Sequence, residues 1–488
     1  MKKMLFALLV GVMMIGTASI AAAEVTVGGS LEVRYDLWNN LTLNRMVTVD
    51  NTQNFFAERI LLNVDAKVAE GLEGYVELVS SNGDVSPIDE RGWGFDGGIN
   101  DNASVSAMNY EGERMAVKQA WINFMIPGAP VGIKIGHQPL ALGHGIFLDS
   151  HRMGQDAILI YSKPIPELLV AGVYVKSLEN SSTVPSTNTG VAIANTHKDV
   201  DVYAALANYT WMENNTVGVF YLYGHDATNV PGVLDRNGNA ANVAKIHDLG
   251  MTMDGAIAGI NYKGEVDYQN INANGGGIGF GVNNAWAAML GGSYNVMNIA
   301  TVGMDAAYGS GTSGNGRFGS QQYSSTATGP RTFQNPYGTT SYNYAFLYND
   351  KIGQGMYGTG AGLGLGDGTG GFGLANTSYL KLTVGATPMD RLNVGLDFLY
   401  LRASASSYPT QSRDLGWEVD ANVGYKIYDN LKLDVNGGVF VPGAWYAFQG
   451  RPSNVGTAVN TLTDPTNASS PIRRQLAFGA ETKLTLNF

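Results

Sequence analysis

The end of the chain, LAFGAETKLTLNF at positions 476–488, alternates between apolar and polar side chains. Even-numbered positions from Leu476 to Phe488 are mostly apolar, whereas odd-numbered positions include Glu481 and Lys483. A period of two over about twelve residues is typical of a β-strand whose two faces meet different surroundings. Strands of soluble proteins average about five or six residues, whereas a membrane-crossing strand needs about nine to eleven. The chain end therefore predicts a strand that crosses a membrane.

The same alternation recurs along the chain. In 415–427, for example, Leu415 shares an apolar face with Trp417, and Glu418 and Asp420 lie opposite. About eighteen segments fit this pattern, an even number as in closed bacterial barrels, with sixteen as the alternative because 155–162, 252–262 and 264–272 are weakest. The candidate strands are 24–37, 55–69, 72–80, 115–126, 131–138, 155–162, 166–177, 199–211, 215–225, 252–262, 264–272, 285–296, 298–309, 376–388, 390–402, 413–427, 430–441 and 473–488.

The connections between these strands alternate between short and long. The short links are expected at 69–71, 126–130, 163–166, 211–215, 263–264, 295–298, 387–390 and 428–430. A barrel with both termini on the periplasmic side requires this order, whereas a soluble β-sandwich has no reason to sort its loops. A sheet in lipid must also close, because hydrocarbon offers no partner to an unpaired N–H or C=O group. The predicted fold is an all-β, transmembrane, antiparallel up-and-down β-barrel.

Aromatic residues near the predicted strand ends fit the girdles that such barrels place at the two membrane interfaces. These candidates are Tyr35, Trp38, Trp211, Tyr262, Tyr400, Tyr428 and Trp445.

Residues 1–23 have the features of a secretory signal peptide. Lys2 and Lys3 precede an apolar stretch, and Ala21 and Ala23 form a small-residue cleavage site. We expect the remaining 24–488 to form one outer-membrane barrel domain with long loops at 81–114, 310–375 and 442–472. The predicted location is the outer membrane of a Gram-negative cell.

A barrel of about eighteen strands encloses a lumen too wide for wall side chains alone to fill, so a water-filled channel is expected. Neighbouring inward positions often pair opposite charges, as at Glu32 with Arg34. These charges form either a salt-bridge mesh that stiffens the wall or an ion filter, and their mild acid excess predicts a weak cation preference at most. The candidate pore-lining residues are Glu32, Arg34, Asp36, Arg59, Asp65, Lys67, Lys134, Lys381, Arg391, Asp397, Glu418, Asp420, Lys432, Asp434, Glu481 and Lys483.

Two loops are candidates for narrowing this lumen. The 310–375 loop is either an infolded eyelet, with a short strand over Tyr342, Tyr344, Phe346 and Tyr348, or an external lid. The 81–114 loop is the second candidate. The loop after 138 supplies further constriction candidates, namely His144, Asp149, His151 and Arg152.

His137, His144 and His151 also suggest a metal site with Asp149 or Asp156, but spacings of seven match no known ligand pattern, so loop histidines are favoured.

Composition excludes several other functions. With 0 cysteines there is no thiol catalysis, Cys-zinc site, thiolate-bound iron–sulfur cluster or covalently attached haem. A net charge of −11 argues against nucleic acid as a partner. No nucleophile–base motif stands out, so we expect neither an enzyme nor a cofactor.

Two stretches resemble a known group. Residues 55–67 with 74–78, and 119–124 with 132–145, look like the porins of metal-reducing proteobacteria, and the architecture is similar to alginate-export barrels. The resemblance implies a passive outer-membrane channel. The terminal Phe488 also resembles the signature that the barrel-insertion machinery reads. Alginate exporters have an Arg-rich bore, whereas the lumen inferred for this chain is mixed and slightly acidic.

The expected function is that of a porin for passive diffusion of small hydrophilic solutes and ions. The alternatives are a solute-specific or polysaccharide-export channel and a scaffold around an electron-transfer partner. The expected partners are outer-membrane lipid and lipopolysaccharide, with a homotrimer or a monomer as the assembly.

Overall fold

The computed structural model describes most of the strands and parts of the loops. The described residues are 24–41, 52–81, 91–92, 114–151, 154–178, 200–226, 243–274, 283–297, 299–311, 333, 342–349, 373–406, 412–447 and 475–488. The predicted signal peptide and most of the three predicted long loops lie outside them.

Nineteen strands form one antiparallel sheet, and one of them, Arg91–Gly92, is only a two-residue addition to the second strand. The long strands are β1 (Glu24–Asn39), β2 (Thr52–Ala69), β3 (Leu72–Ser81), β4 (Arg114–Met125), β5 (Val131–Gln138), β6 (Gln155–Ile165), β7 (Leu168–Leu178), β8 (Val200–Met212), β9 (Asn215–Asp226), β10 (Val243–Ile257), β11 (Ile260–Asn274), β12 (Asn283–Val296), β13 (Ala300–Gly309), β14 (Thr377–Met389), β15 (Leu392–Ala403), β16 (Asp414–Tyr428), β17 (Leu431–Pro442) and β18 (Ala477–Asn487).

The sheet closes on itself. Strand β18 pairs with both β17 and β1, and Leu31 lies opposite Leu486 at the closing seam. Just beyond the seam, the Gly29 N–H donates to the Phe488 carbonyl at 2.9 Å, and the Phe488 N–H donates to the Gly29 carbonyl at 3.1 Å. Every long strand therefore has two partners, as a sheet in hydrocarbon requires. The predicted closed barrel with eighteen long strands is confirmed.

Short turns and long connections alternate without exception along the barrel, as predicted. One predicted turn is wrong: β10 and β11 meet at Ala258 and Gly259, not at 263–264. A two-residue hairpin turn of type I′ has positive φ at both central residues, and these residues have φ of 50° and 82°. The predicted start of β10 at 252 is also too late, because the strand begins at Val243. Lys245 and His247 make the outward face of its first half polar, so this half lacks the expected alternation.

The outward face of the barrel is apolar. Val27 is 60% exposed and Leu290 is 57% exposed, which fits a surface that contacts lipid rather than water. Leu415 departs from its predicted place beside Trp417, because a bulge at Gly416, with φ of 122°, turns it into the buried interior.

Five of the seven girdle candidates lie on outward faces or in the short turns. Trp38 and Trp445 are instead buried inside and do not belong to an interfacial girdle. None of the helical turns among the described residues is long and apolar enough to cross a membrane.

The hydrophobic core of the molecule lies inside the barrel. Inward-facing apolar residues such as Leu222 and Phe440 pack against chain that enters the lumen from two connections. We name these segment I (139–150), from the β5–β6 connection, and segment II (342–349), from the β13–β14 connection. The lumen is therefore partly filled by the chain itself.

Candidate functional site

Segment I is a compact hairpin-like loop. The Leu142 N–H donates to the Leu148 carbonyl at 3.0 Å, and the Ser150 N–H donates to the Leu140 carbonyl at 2.8 Å. Ile146 and Phe147 are fully buried against the barrel wall. These internal bonds let the loop leave the strands without unpaired backbone groups, and its apolar tip stabilises its place in the lumen.

His144 joins segment I to the wall of β10 and β11. Its ring Nδ1 lies 2.9 Å from Glu265 Oε2, and its Nε2 lies 2.9 Å from Asp254 Oδ1. The His144 backbone N–H also donates to Glu265. Gly143 has φ of 58°, and a side chain there would collide with the Glu265 carboxylate. One residue of the loop thus contacts two strands, and its neighbour must be small.

The surroundings of His144 favour its charged form. The hydrogen bond to Glu265 raises the pKa of His144 above its ordinary value, burial opposes this effect, and Asp254 reinforces it. His144 is therefore more often an imidazolium at neutral pH than an isolated histidine is.

Segment II is bound to the wall through its backbone. The N–H groups of Leu347 and Tyr348 donate to the two oxygens of Glu418 at 2.6 and 2.8 Å, and the Phe346 N–H donates to Asp420 at 3.2 Å. Lys381 donates to the Tyr344 carbonyl at 3.2 Å. The bond from the Lys381 ammonium is charge-assisted, and such bonds are stronger than those between neutral groups.

Aromatic packing completes this attachment. The Tyr344 ring stacks on Tyr379 of β14 with centroids 4.4 Å apart, and the hydroxyls of Tyr342 and Tyr379 are 2.6 Å apart. Burial raises the pKa of the Tyr348 phenol to about 12, so it stays neutral. The eyelet alternative is confirmed for 342–349, but these residues form a turn rather than the expected short strand.

The two connections meet inside the barrel. The Phe147 ring of segment I lies edge-on to Phe333, a residue of the same connection as segment II, with centroids 6.3 Å apart. Both rings are buried. Residues from distant parts of the sequence thus meet inside the lumen. The open part of the lumen is therefore narrower than the number of strands alone implies.

Ion pairs join basic and acidic side chains along the described inner wall. They include Arg34 with Asp36 (2.7 Å) and with Glu481 (3.8 Å), Lys118 with Glu77 (3.0 Å), Lys263 with Asp305 (3.5 Å), Lys381 with Asp397 (2.8 Å) and Lys432 with Asp434 (2.7 Å). Lys134 instead lies 3.7 Å from the centroid of the Trp121 ring. This arrangement fits the expected mesh of opposite charges.

Nearly all predicted pore-lining residues face inward. Those on inward faces are Glu32, Arg34, Asp36, Arg59, Asp65, Lys67, Lys134, Lys381, Asp397, Glu418, Asp420, Lys432, Asp434, Glu481 and Lys483. Asp36 and Glu418 are fully buried, so they contact packed protein groups. Arg391 lies in the β14–β15 turn, where it donates to the Ile427 carbonyl at 3.0 Å. Which of these residues meet the solute stays a prediction.

The three clustered histidines are not brought together. His137 pairs with Asp156 at 2.8 Å on the outward face, His144 faces the lumen wall, and His151 pairs with Asp149 at 2.6 Å within its own loop. In the described part of the chain, no three His, Cys, Asp or Glu side chains are placed to hold a metal ion. Arg152, the fourth constriction candidate, lies outside the described residues.

Sequence reasoning missed Asp248 and Asp254 on the inner wall. Asp248 fell in a predicted loop because β10 was expected to begin at 252. Asp254 lay inside a predicted strand, but the misplaced turn obscured which face it occupies. The sequence offers one indication that Asp248 and Asp254 face inward, namely that the apolar residues Leu249, Met251 and Met253 occupy the alternate positions.

The solved structures similar to this chain include outer-membrane proteins of Pseudomonas and Acinetobacter, whereas no family model and no curated protein matches the sequence. Acinetobacter baumannii OccAB2 is 11% identical, with a TM-score of 0.53 over 95% of this chain and 98% of that one. Pseudomonas aeruginosa OccK9 (OpdG) is 12% identical, with a TM-score of 0.52 over 95% and 98%. P. aeruginosa OccK8 (OprE) is 11% identical, with a TM-score of 0.50 over the same shares. At these identities the likeness establishes that the chain has a porin-type barrel fold and nothing finer.

Proposed function

We propose that this protein is an outer-membrane channel through which small hydrophilic solutes and ions diffuse passively. The observation that carries the proposal is a closed barrel with an apolar exterior and an inner wall of charged residues, crossed by segments of its own chain. An apolar exterior suits lipid, and a charged interior is stable only where water or opposite charges reach it.

The contact between Phe147 and Phe333 favours the solute-specific version of this function over a wide general pore. A lumen partly filled by its own chain leaves little room for a second protein, which disfavours the scaffold alternative. Passage of a polyuronate is disfavoured too, because acidic residues such as Glu265 and Asp254 face the lumen. The resemblance to porins of metal-reducing proteobacteria remains part of the proposal.

The proposal also includes the membrane environment. Phe488 is 63% exposed at the closing seam, where it is accessible to the barrel-insertion machinery. Outer-membrane lipid and lipopolysaccharide would surround the apolar face. Removal of 1–23 as a signal peptide is part of the same proposal, and the assembly is either a monomer or a homotrimer.

Recordings from the purified barrel in planar bilayers test the function. We expect ohmic KCl currents several-fold smaller than those of an unobstructed barrel of this strand number, because segments I and II occupy the lumen. A preparation that is folded, judged by its heat-dependent mobility on gels, but conducts no ions would contradict the proposal. Proteoliposome swelling with neutral sugars of increasing size would then measure the solute limit.

A further inference from the structure

One sector of the lumen wall, formed by β10 and β11, is almost entirely acidic. Asp248 and Asp254 on β10 and Glu265 and Asp267 on β11 face inward. The described inward faces of these strands carry one base, Lys263, and it pairs with Asp305 of β13 at 3.5 Å. We call Asp248, Asp254, Glu265 and Asp267 the acidic sector.

Two carboxylates of the acidic sector, Asp248 and Asp267, have no ion-pair partner among the described residues. Asp248 and Asp267 are fully buried, and neither oxygen of either side chain has a hydrogen-bond partner among the described residues. Glu265 Oε1 is likewise unpartnered, and its side chain is 0% exposed. Buried carboxylates are costly unless a positive group or a proton compensates them. The sector is therefore suited to receive positive charge.

His144 shows which shape of cation the sector accepts. Its planar ring presents two nitrogens in diverging directions, one to Glu265 and one to Asp254, each at 2.9 Å. A guanidinium or amidinium group is also planar and also directs N–H donors outward in its plane. No trio of ligand side chains in the described residues converges on a metal position, so the geometry suits an organic cation better than a metal ion.

Solutes can reach this place from the lumen. The Asp254 side chain is 55% exposed and that of His144 is 18% exposed, whereas that of Glu265 is buried. An incoming cation would therefore meet Asp254 first and then exchange with the imidazole. Segment I does not depend on His144 alone, because Phe147 and its internal hydrogen bonds also hold it.

Given the proposed channel function, we infer that the acidic sector binds the planar cationic group of a solute, a guanidinium or amidinium, in the place that His144 occupies between Asp254 and Glu265. His144 acts as a built-in competitor that keeps the site filled between solutes. The substrate class that follows is small organic cations with such a group.

Agmatine, which carries a guanidinium, and N-carbamoylputrescine, in which a neutral urea of nearly the same shape replaces it, are the probes for this inference. Binding to the detergent-solubilised barrel is measured by calorimetry, and block of KCl current is measured in bilayers. We expect agmatine to bind and block at least about tenfold better than the urea compound, because charged hydrogen bonds to a carboxylate are lost in the latter.

Two variants should change agmatine affinity in opposite directions. Asp254→Asn should weaken it about tenfold, whereas His144→Ala should strengthen it, because the competitor is gone while the carboxylates remain. Asp156→Asn is the matched control, because it disrupts an Asp–His pair of similar length, 2.8 Å, on the outward face, and agmatine affinity should not change.

Equal binding of the two probes, or equal effects of Asp254→Asn and Asp156→Asn, would overturn the inference. Weaker agmatine binding in His144→Ala would overturn the role of His144 as competitor. KCl conductance reports separately on the channel function. A barrel that conducts but does not distinguish the probes refutes only this inference, and one that binds agmatine without conducting refutes only the proposed function.

Discussion

Segments I and II both enter the lumen, but they are held in different ways. Segment I has its own backbone hydrogen bonds and reaches the wall through one titratable side chain, His144. Segment II makes few bonds within itself, and Glu418 and Asp420 accept three of its N–H groups. The side-chain contact of His144 with the wall therefore includes a proton that can be lost near neutral pH, whereas the donors that attach segment II are backbone N–H groups, which do not titrate.

Segment I is therefore a preformed loop, whereas the conformation of segment II is determined by its hydrogen bonds to the wall. A loop with its own hydrogen bonds can move away from the wall and keep its conformation, because its backbone groups stay paired. A loop whose N–H groups end on wall carboxylates loses its conformation when it leaves, unless water replaces the carboxylates. Segment I is thus the better candidate for reversible movement, and segment II for a permanent narrowing.

The largest change in conductance should come from removing the contact between Phe147 and Phe333, where the two connections meet. Phe147→Ala removes a fully buried ring, and such truncations cost about 3–5 kcal/mol. We expect a several-fold rise in single-channel conductance and a larger solute limit in liposome swelling. Phe147→Leu keeps most of the buried apolar volume and serves as the control. Unchanged conductance in the alanine variant would show that this contact does not narrow the channel.

The second largest change in conductance should come from weakening the attachment of segment II to the wall. Glu418→Gln replaces one acceptor oxygen by an NH₂ donor that faces a backbone N–H, leaving a buried group unpaired at a cost of about 3 kcal/mol. Conductance and current noise should rise, and the rise should not depend on pH between 6 and 9. Asp201→Asn, on the outward face, is the control. A variant with wild-type currents would mean that the aromatic contacts alone hold segment II.

A smaller effect, about 1–2 kcal/mol, should appear in the pH dependence of segment I. Because the pKa of His144 is raised in the folded barrel, the stabilisation is complete below about pH 6.5 and is lost as pH rises through the raised pKa. The charged groups facing His144 are the acids Asp254 and Glu265, and Lys263 of β11 lies opposite Asp254. We expect channel noise to increase on the alkaline side.

His144→Gln should remove this pH dependence, whereas His151→Gln, which disturbs only the pair with Asp149 inside the same loop, should retain it. Identical pH profiles for the two variants would contradict a role for His144 in holding segment I.

The smallest effect should come from Tyr348→Phe. The Tyr348 hydroxyl lies 3.5 Å from Thr377 Oγ1, a long contact, so its loss should cost less than about 1 kcal/mol. Conductance should stay at the wild-type value. A change as large as that of Glu418→Gln would show that side-chain hydroxyls, not the backbone bonds, hold segment II.

Much of the barrel could be predicted because strand alternation is a local property. The strand from Leu431 to Pro442 needs no knowledge of its partners to show which side chains meet lipid. The prediction failed where local pattern and geometry disagree. Gly264 looks like a turn residue but lies in an extended strand, and the bulge at Gly416 reverses the face of Leu415. Turns and bulges depend on the register between neighbouring strands, and the sequence of one segment alone does not determine that register.

The site was predictable only in part for the same reason. The inward charges at Arg34 and Asp434 follow from alternation, but nothing near Glu418 in the chain says that it will bind Leu347, 71 positions away. His144 was singled out as a constriction candidate, yet its two acidic partners lie 110 and 121 positions from it.

The closed, lipid-facing barrel with a charged interior could be predicted from the amino-acid sequence alone, because the period of two is visible in each segment and the order of short and long links is visible along the chain. That two connections fold inward, that Phe147 meets Phe333 and that Asp254 and Glu265 both contact His144 is visible only in the folded barrel. Such contacts join residues far apart in the chain, and their energy arises only after closure of the barrel brings the wall and the loops within hydrogen-bond distance.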